Sequence, residues 1–184
     1  MTGKLMRTRA RLLEAALELF ATQGFEATTA AQIAARAGVT QMTFFRHFPT
    51  KAAVLIGDPY DPVIGESIRR EPPGADPITL AARGVRKAWQ ELPSPAADEV
   101  RARLRIVAQT PSLRADLAAG TAATEVVVAE ALTDLGVDPH RAAVAAGAVL
   151  GALNAALLRW SLSDDGDLGA AIHSALDVLE HANA

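Results

Sequence analysis

The chain has no cysteine. That excludes a disulfide framework and a thiolate zinc site, and it suits a reducing cytoplasm. Aromatic residues make up only 4% of it, and β-branched residues other than valine are few, so little in it favours strands. The abundance of alanine and leucine points instead to helices. No signal peptide opens the chain, because the apolar positions after Lys4, Arg7, Arg9 and Arg11 are interrupted by Glu14 and Glu18. A cytoplasmic protein is expected. Nor is a membrane partner expected. The uncharged run 142–158 is 17 residues of mostly small side chains with Asn154 inside it, whereas a span needs roughly 20 apolar residues. There is no Cys or Ser nucleophile paired with a His, no phosphate-cradling Gly-rich loop and no zinc-protease spacing. An enzyme or a cofactor carrier is therefore disfavoured, and no cofactor and no metal is expected.

What is present begins with charge. Residues 1–57 hold seven Lys/Arg against three Asp/Glu, while the remainder holds eleven against eighteen. A basic head on an acidic body suggests that the head meets a polyanion. The modest excess and the acidic body argue against a non-specific packaging protein. Apolar residues at Leu12, Leu13, Ala16, Leu17, Leu19 and Phe20 predict a helix over 6–22, with Gly24 as its stop. Thr28 or Thr29 can cap a short helix, Ala30 to Ala37, and Gly38 just past its end suits a left-handed turn. Thr40 can cap a third helix, Gln41 to Phe48, which Pro49 ends. Thr50 can cap a fourth starting at Lys51, soon broken by Gly57, Asp58, Pro59, Asp61 and Pro62. Further helices are predicted over 63–70, 77–92, 96–110, 113–135, 139–162 and 168–182.

Two short helices joined by a tight glycine turn suggest a helix-turn-helix, in which the second helix enters the major groove. Phe44 and Phe48, four residues apart, can both face a core. Gln41, Met42, Phe45 and Arg46 then point outward, with Thr43 and His47 at the flanks. Exposed apolar side chains can meet thymine methyl groups, and Gln can read adenine edges. The Thr40 hydroxyl and Lys51 suit phosphates, and the arm of Lys4, Arg7, Arg9 and Arg11 can follow the DNA backbone or enter a minor groove.

The linked residues Arg9-x-x-Leu12-Leu13-Glu14-Ala15-Ala16-Leu17-Glu18-Leu19-Phe20, Gly24-Phe25, Thr28-Thr29, Ile33-Ala34, Ala37-Gly38-Val39-Thr40, Phe44-Phe45-Arg46-His47-Phe48 and Lys51 resemble the TetR family of bacterial transcriptional regulators. The resemblance covers about residues 7–55. It implies an all-α homodimer with a three-helix DNA-binding head, residues 1–55, and a helical ligand-binding and dimerisation domain, residues 56–184. Such a protein is a regulator, commonly a repressor, that a small molecule releases from a palindromic operator. By position, Gln41, Met42, Thr43, Phe45 and Arg46 match recognition-helix contacts, and Thr29, Thr40, His47 and Lys51 match backbone contacts. Two departures stand out. Members commonly have Tyr where this chain has Phe45, and many have Gly where it has Met42, so this surface leans toward apolar contact.

In the body, a helical wheel of residues 141–160 gathers Val149, Leu150, Leu153, Leu157 and Trp160 on one side and Val144, Gly147, Ala148, Gly151 and Ala155 on the other. The large face suits a domain core. The small face suits close approach of another helix, in the same chain or a second copy. The resemblance implies that the helices at about 139–162 and 168–182 pair with their copies in a dimer. An unknown small-molecule ligand is expected among the middle helices, with Trp89, Gln109, Thr124, Asn154 and Trp160 as candidate lining residues. His173, Asp177 and His181 share one helical face at a spacing that could hold a metal, but a solvated surface is the simpler reading.

Overall fold

Side-chain caps set the short helices of the N-terminal third. The computed structural model describes residues 2–56, 61–91, 97–164 and 166–181. Helix α1 (Thr2–Gln23) is followed by α2 (Ala30–Arg36) and α3 (Gln41–His47). Thr29 and Gln32 form a reciprocal capping box: the Gln32 N–H donates to Thr29 Oγ1 at 3.2 Å, and the Thr29 N–H donates to Gln32 Oε1 at 2.8 Å. The Thr43 N–H donates to Thr40 Oγ1 at 3.2 Å and so caps α3. The intervening turn runs through Gly38 at φ 66°, a left-handed conformation that glycine adopts without a Cβ clash.

The body follows as α4 (Ala53–Ile56), α5 (Asp61–Arg69), α6 (Pro77–Glu91), α7 (Ala97–Gln109), α8 (Leu113–Asp134), α9 (Pro139–Leu162) and α10 (Leu168–His181). No strand occurs among the described residues. Most boundaries lie within a residue or two of those expected. The first helix starts four residues earlier than its apolar periodicity, because the turns carrying exposed Leu5 and Met6 have no core face to declare them. Of the expected breakers after α4, Gly57, Asp58 and Pro59 lie outside the described residues. Asp61 and Pro62 break nothing: they open α5, where a proline in the first turn forfeits no hydrogen bond.

Buried side chains form two clusters. One joins Leu12, Ala16 and Phe20 of α1 to Ile33, Ala34, Phe44 and Phe48, and extends to Val107 of α7 and Leu113 of α8. The other centres on α9, whose Val149, Leu150, Leu153 and Trp160 are buried as the wheel predicts. On length and composition alone α9 could cross a membrane, yet α6, α7, α8 and α10 all pack against it. A short joint links the two clusters. The Arg103 guanidinium donates to the Leu55 carbonyl at the end of α4, at 2.9 Å from Nη2 and 3.3 Å from Nε. The Ser112 hydroxyl donates to the Glu26 carboxylate, and Gly120 admits Ile56, whose Cγ2 would stand 2.5 Å from a Cβ there.

Helices α5 and α6 approach closely at Gly84. A Cβ on Gly84 would lie 2.3 Å from Ile68 Cγ1 and 2.7 Å from Ile68 Cα, so backbone as well as side chain would have to yield. Gly84→Ala is expected to destabilise the protein by about 2 kcal/mol in chemical denaturation, overpacking outweighing the gain of roughly 1 kcal/mol in helix propensity.

Candidate nucleic-acid interface

The face that α3 presents is decided by what it buries. Phe44 is 0% and Phe48 2% exposed, their ring centroids 5.8 Å apart under α1 and α2. Helical spacing then turns Gln41, Met42, Phe45 and Arg46 outward, and all four are exposed. Met42 is 83% exposed, and Phe45 is 46% exposed with its ring set edge-on to Phe44 at 5.4 Å and 87°. An apolar, protruding surface on a helix this short is poorly suited to water and well suited to a groove that offers methyl groups.

At the flanks, Thr43 and His47 are half-buried. Burial, then the charges of Arg46 and Arg9, holds the His47 imidazole below the usual histidine value. The hydroxyls of Thr29 and Thr40 are already engaged: Thr29 Oγ1 donates to Gln32 Oε1 at 3.0 Å, and Thr40 Oγ1 lies 3.0 Å from Thr43 Oγ1. Both keep an exposed position at the head of a helix.

Two cations expected to face DNA are turned inward. Lys51 Nζ donates to the carbonyls of Phe25 at 2.6 Å and Thr28 at 2.9 Å, and sits 3.9 Å from the centroid of the Phe25 ring. Arg9 Nη1 donates to the His47 carbonyl at 3.0 Å, and its guanidinium lies over the Phe48 ring at 4.3 Å. A third cation, Arg36, pairs with Glu18 at 2.6 Å on the surface. The role of Arg9 had a signal in the sequence. It stands in register with Leu12, Ala16 and Phe20, on the apolar stripe of α1 rather than on its wet side.

The five candidate ligand residues sit on α6, α7, α8 and α9. Asn154 Nδ2 donates to Thr121 Oγ1 at 2.9 Å between α9 and α8, one turn from buried Thr124. Trp89 is half-buried on α6, with its indole nitrogen 3.5 Å from where a Gly169 Cβ would stand on α10. Gln109 is exposed at the end of α7. Trp160 is a core residue: its indole N–H donates to the Gly166 carbonyl at 3.0 Å, and Arg101 covers its ring at 4.3 Å. Its only polar group is thus already engaged within the chain. Asp177 pairs with Arg86 at 2.8 Å, the His181 side chain lies outside the described residues, and no metal-holding cluster occurs among those described.

Comparison with known proteins adds the following. Residues 12–56 match the family model described as bacterial regulatory proteins, tetR family, and residues 75–184 match the MftR C-terminal domain. The HTH-type transcriptional regulator TcmR of Streptomyces glaucescens is 34% identical over 120 residues, covering 61% of this chain and 53% of that protein. The match thus spans about half the length of this curated relative. Thermus thermophilus FadR, a TetR-family transcriptional repressor solved in complex with lauroyl-CoA, superposes with TM-score 0.51 at 25% identity, covering 94% of this chain and 93% of that one. NalD of Pseudomonas aeruginosa, the secondary repressor of the MexAB-OprM efflux pump, shares the fold with TM-score 0.56 at 24% identity over 96% of this chain and 95% of its own.

The depressed His47 pKa has a sign that can be checked. Folding favours the neutral ring, so its contribution to stability is whole above the unfolded value of about 6.5 and is lost as the pH falls through the lower folded value. The melting temperature of the wild type should therefore drop further between pH 7.5 and pH 5 than that of His47→Gln, measured side by side by circular dichroism.

Proposed function

The chain belongs to the TetR family of bacterial transcriptional regulators, and from that membership we propose that it is a dimeric repressor which leaves its operator when a small molecule binds its body. The division of labour is a DNA-binding head, residues 1–55, on a ligand-binding and dimerisation domain, residues 56–184. The observation that carries the reading is the outward set on α3. Gln41, Met42, Thr43, Phe45 and Arg46 read the major groove, Met42 and Phe45 favouring thymine methyl groups. Thr29, Thr40 and His47 contact phosphates from its flanks. Family membership and a recognition surface without catalytic groups favour a cytoplasmic regulator over an enzyme.

Dimerisation has support in the glycines of α9. A Cβ on Gly151 would meet nothing within 4 Å, and one on Gly147 only the Glu125 carboxylate at 3.9 Å. Among the described residues, neither glycine serves a close approach inside its own chain. With Val144 58% and Val178 67% exposed on α9 and α10, a second copy packing on these helices accounts for the small, apolar face. The two heads then meet successive major grooves of a palindrome, about 34–36 Å apart.

For the ligand, the polar pair Asn154–Thr121, with Thr124 beside it and Trp89 across the core, offers the best anchoring points in an apolar interior. A 25%-identical relative holds lauroyl-CoA, so a fatty acyl thioester is the first compound to try. A ligand that favours a head spacing unfit for DNA would release the operator.

Selection from a random duplex library, followed by footprinting, tests the regulator reading. A short symmetric protected site is expected, rich in thymine at the recognition positions; uniform coverage would sink it. The dimer is tested separately. Gly151→Leu has room in the protomer, so far-UV circular dichroism should be unchanged while the dimer dissociation constant in sedimentation rises at least tenfold.

A further inference from the structure

We infer that Arg9 is a positioning residue that holds the recognition helix in place, and that its charge is not spent on DNA. The inference rests on the DNA-binding reading above. Helix α3 has seven residues, and Phe48 beyond it is extended at φ −137° and ψ 109°. The carbonyls of its last turn have no helical partner. The Phe44 carbonyl is taken by the Phe48 N–H at 2.9 Å. The His47 carbonyl is taken by Arg9 Nη1 from α1. A cation there also meets the negative end of the helix dipole.

The same guanidinium lies on the ring of Phe48, one of the two rings that turn α3 toward the core. A planar, always-charged group can stack with its face and donate from its edge at once, which an ammonium does poorly. Arg9 thereby fixes α3 along its axis, through the carbonyl, and in rotation, through the ring. The register of Gln41, Met42 and Phe45 against base edges follows from both.

Phosphate contact and positioning differ in their response to salt. Each phosphate neutralised contributes about 0.9 to the slope of log affinity against log salt, whereas a positioning residue contributes nothing to it. Full-length wild type, Arg9→Gln and Arg9→Lys would be titrated across a range of KCl concentrations. The probes are a duplex that the wild type selects from a random library and a scrambled duplex of equal length. Both variants are expected to keep the wild-type salt slope on both duplexes, and to lose about tenfold or more in preference for the selected one. A slope lowered by roughly 0.9 per head in Arg9→Gln overturns the inference and leaves the DNA-binding reading intact. So does an Arg9→Lys protein that keeps full preference, since it retains the charge but not the planar group. That second criterion decides the matter if Arg9→Gln fails to fold. A wild type without salt-dependent binding to either duplex overturns the DNA-binding reading, and this inference with it.

Discussion

The burial of Phe44 and Phe48 is the constraint on which the head depends. A helix of two turns has little intrinsic stability, and its caps alone would not choose a face. Two rings four residues apart, driven under α1 and α2, remove the choice. Everything offered to DNA is what those two burials leave over. The neighbouring polar contacts refine this arrangement without creating it. Thr40 satisfies the start of the helix, and Arg9 satisfies its end.

The body obeys a similar logic on a larger scale. Helix α9 is apolar around most of its circumference and is sheathed by four helices on one side, leaving a glycine-bearing strip bare on the other. Besides the apolar packing of Val107 and Leu113 in the head's own cluster, three links of different kinds tie the head to this core. A guanidinium holds the Leu55 carbonyl of α4, a hydroxyl meets a carboxylate between Ser112 and Glu26, and an isoleucine enters the space above Gly120. Each ties α7 or α8 to the head.

Much of this was legible in the sequence, because it rests on local rules. The caps at Thr29 and Thr40, the left-handed Gly38, the inward Phe44 and Phe48, and the two faces of α9 all follow from periodicity and turn chemistry. Long-range polar pairing does not. The register of Arg9 with Leu12, Ala16 and Phe20 hints that it faces inward, but only the folded chain brings His47 to it and Phe25 and Thr28 to Lys51. The partners of Trp160 are equally hidden in the sequence, since Gly166 and Arg101 come from a turn and from another helix. The Arg103–Leu55 and Ser112–Glu26 links had no sequence signal at all. Nothing in spacing tells a surface arginine from one that caps a helix 48 residues away.

The edge-on contact of Phe45 with Phe44 bears on the heat of recognition. The edge-on contact rests one side of the exposed ring on a buried neighbour, and the rest of it faces water. Together with the bare thioether of Met42 it presents apolar area to water, area that the proposed reading of base edges would cover. Burial of that kind lowers the heat capacity of the system. The enthalpy of complex formation at this helix should thus grow more favourable with rising temperature, a calorimetric mark that hydrogen bonds from a phenol and a backbone glycine would not leave to the same degree.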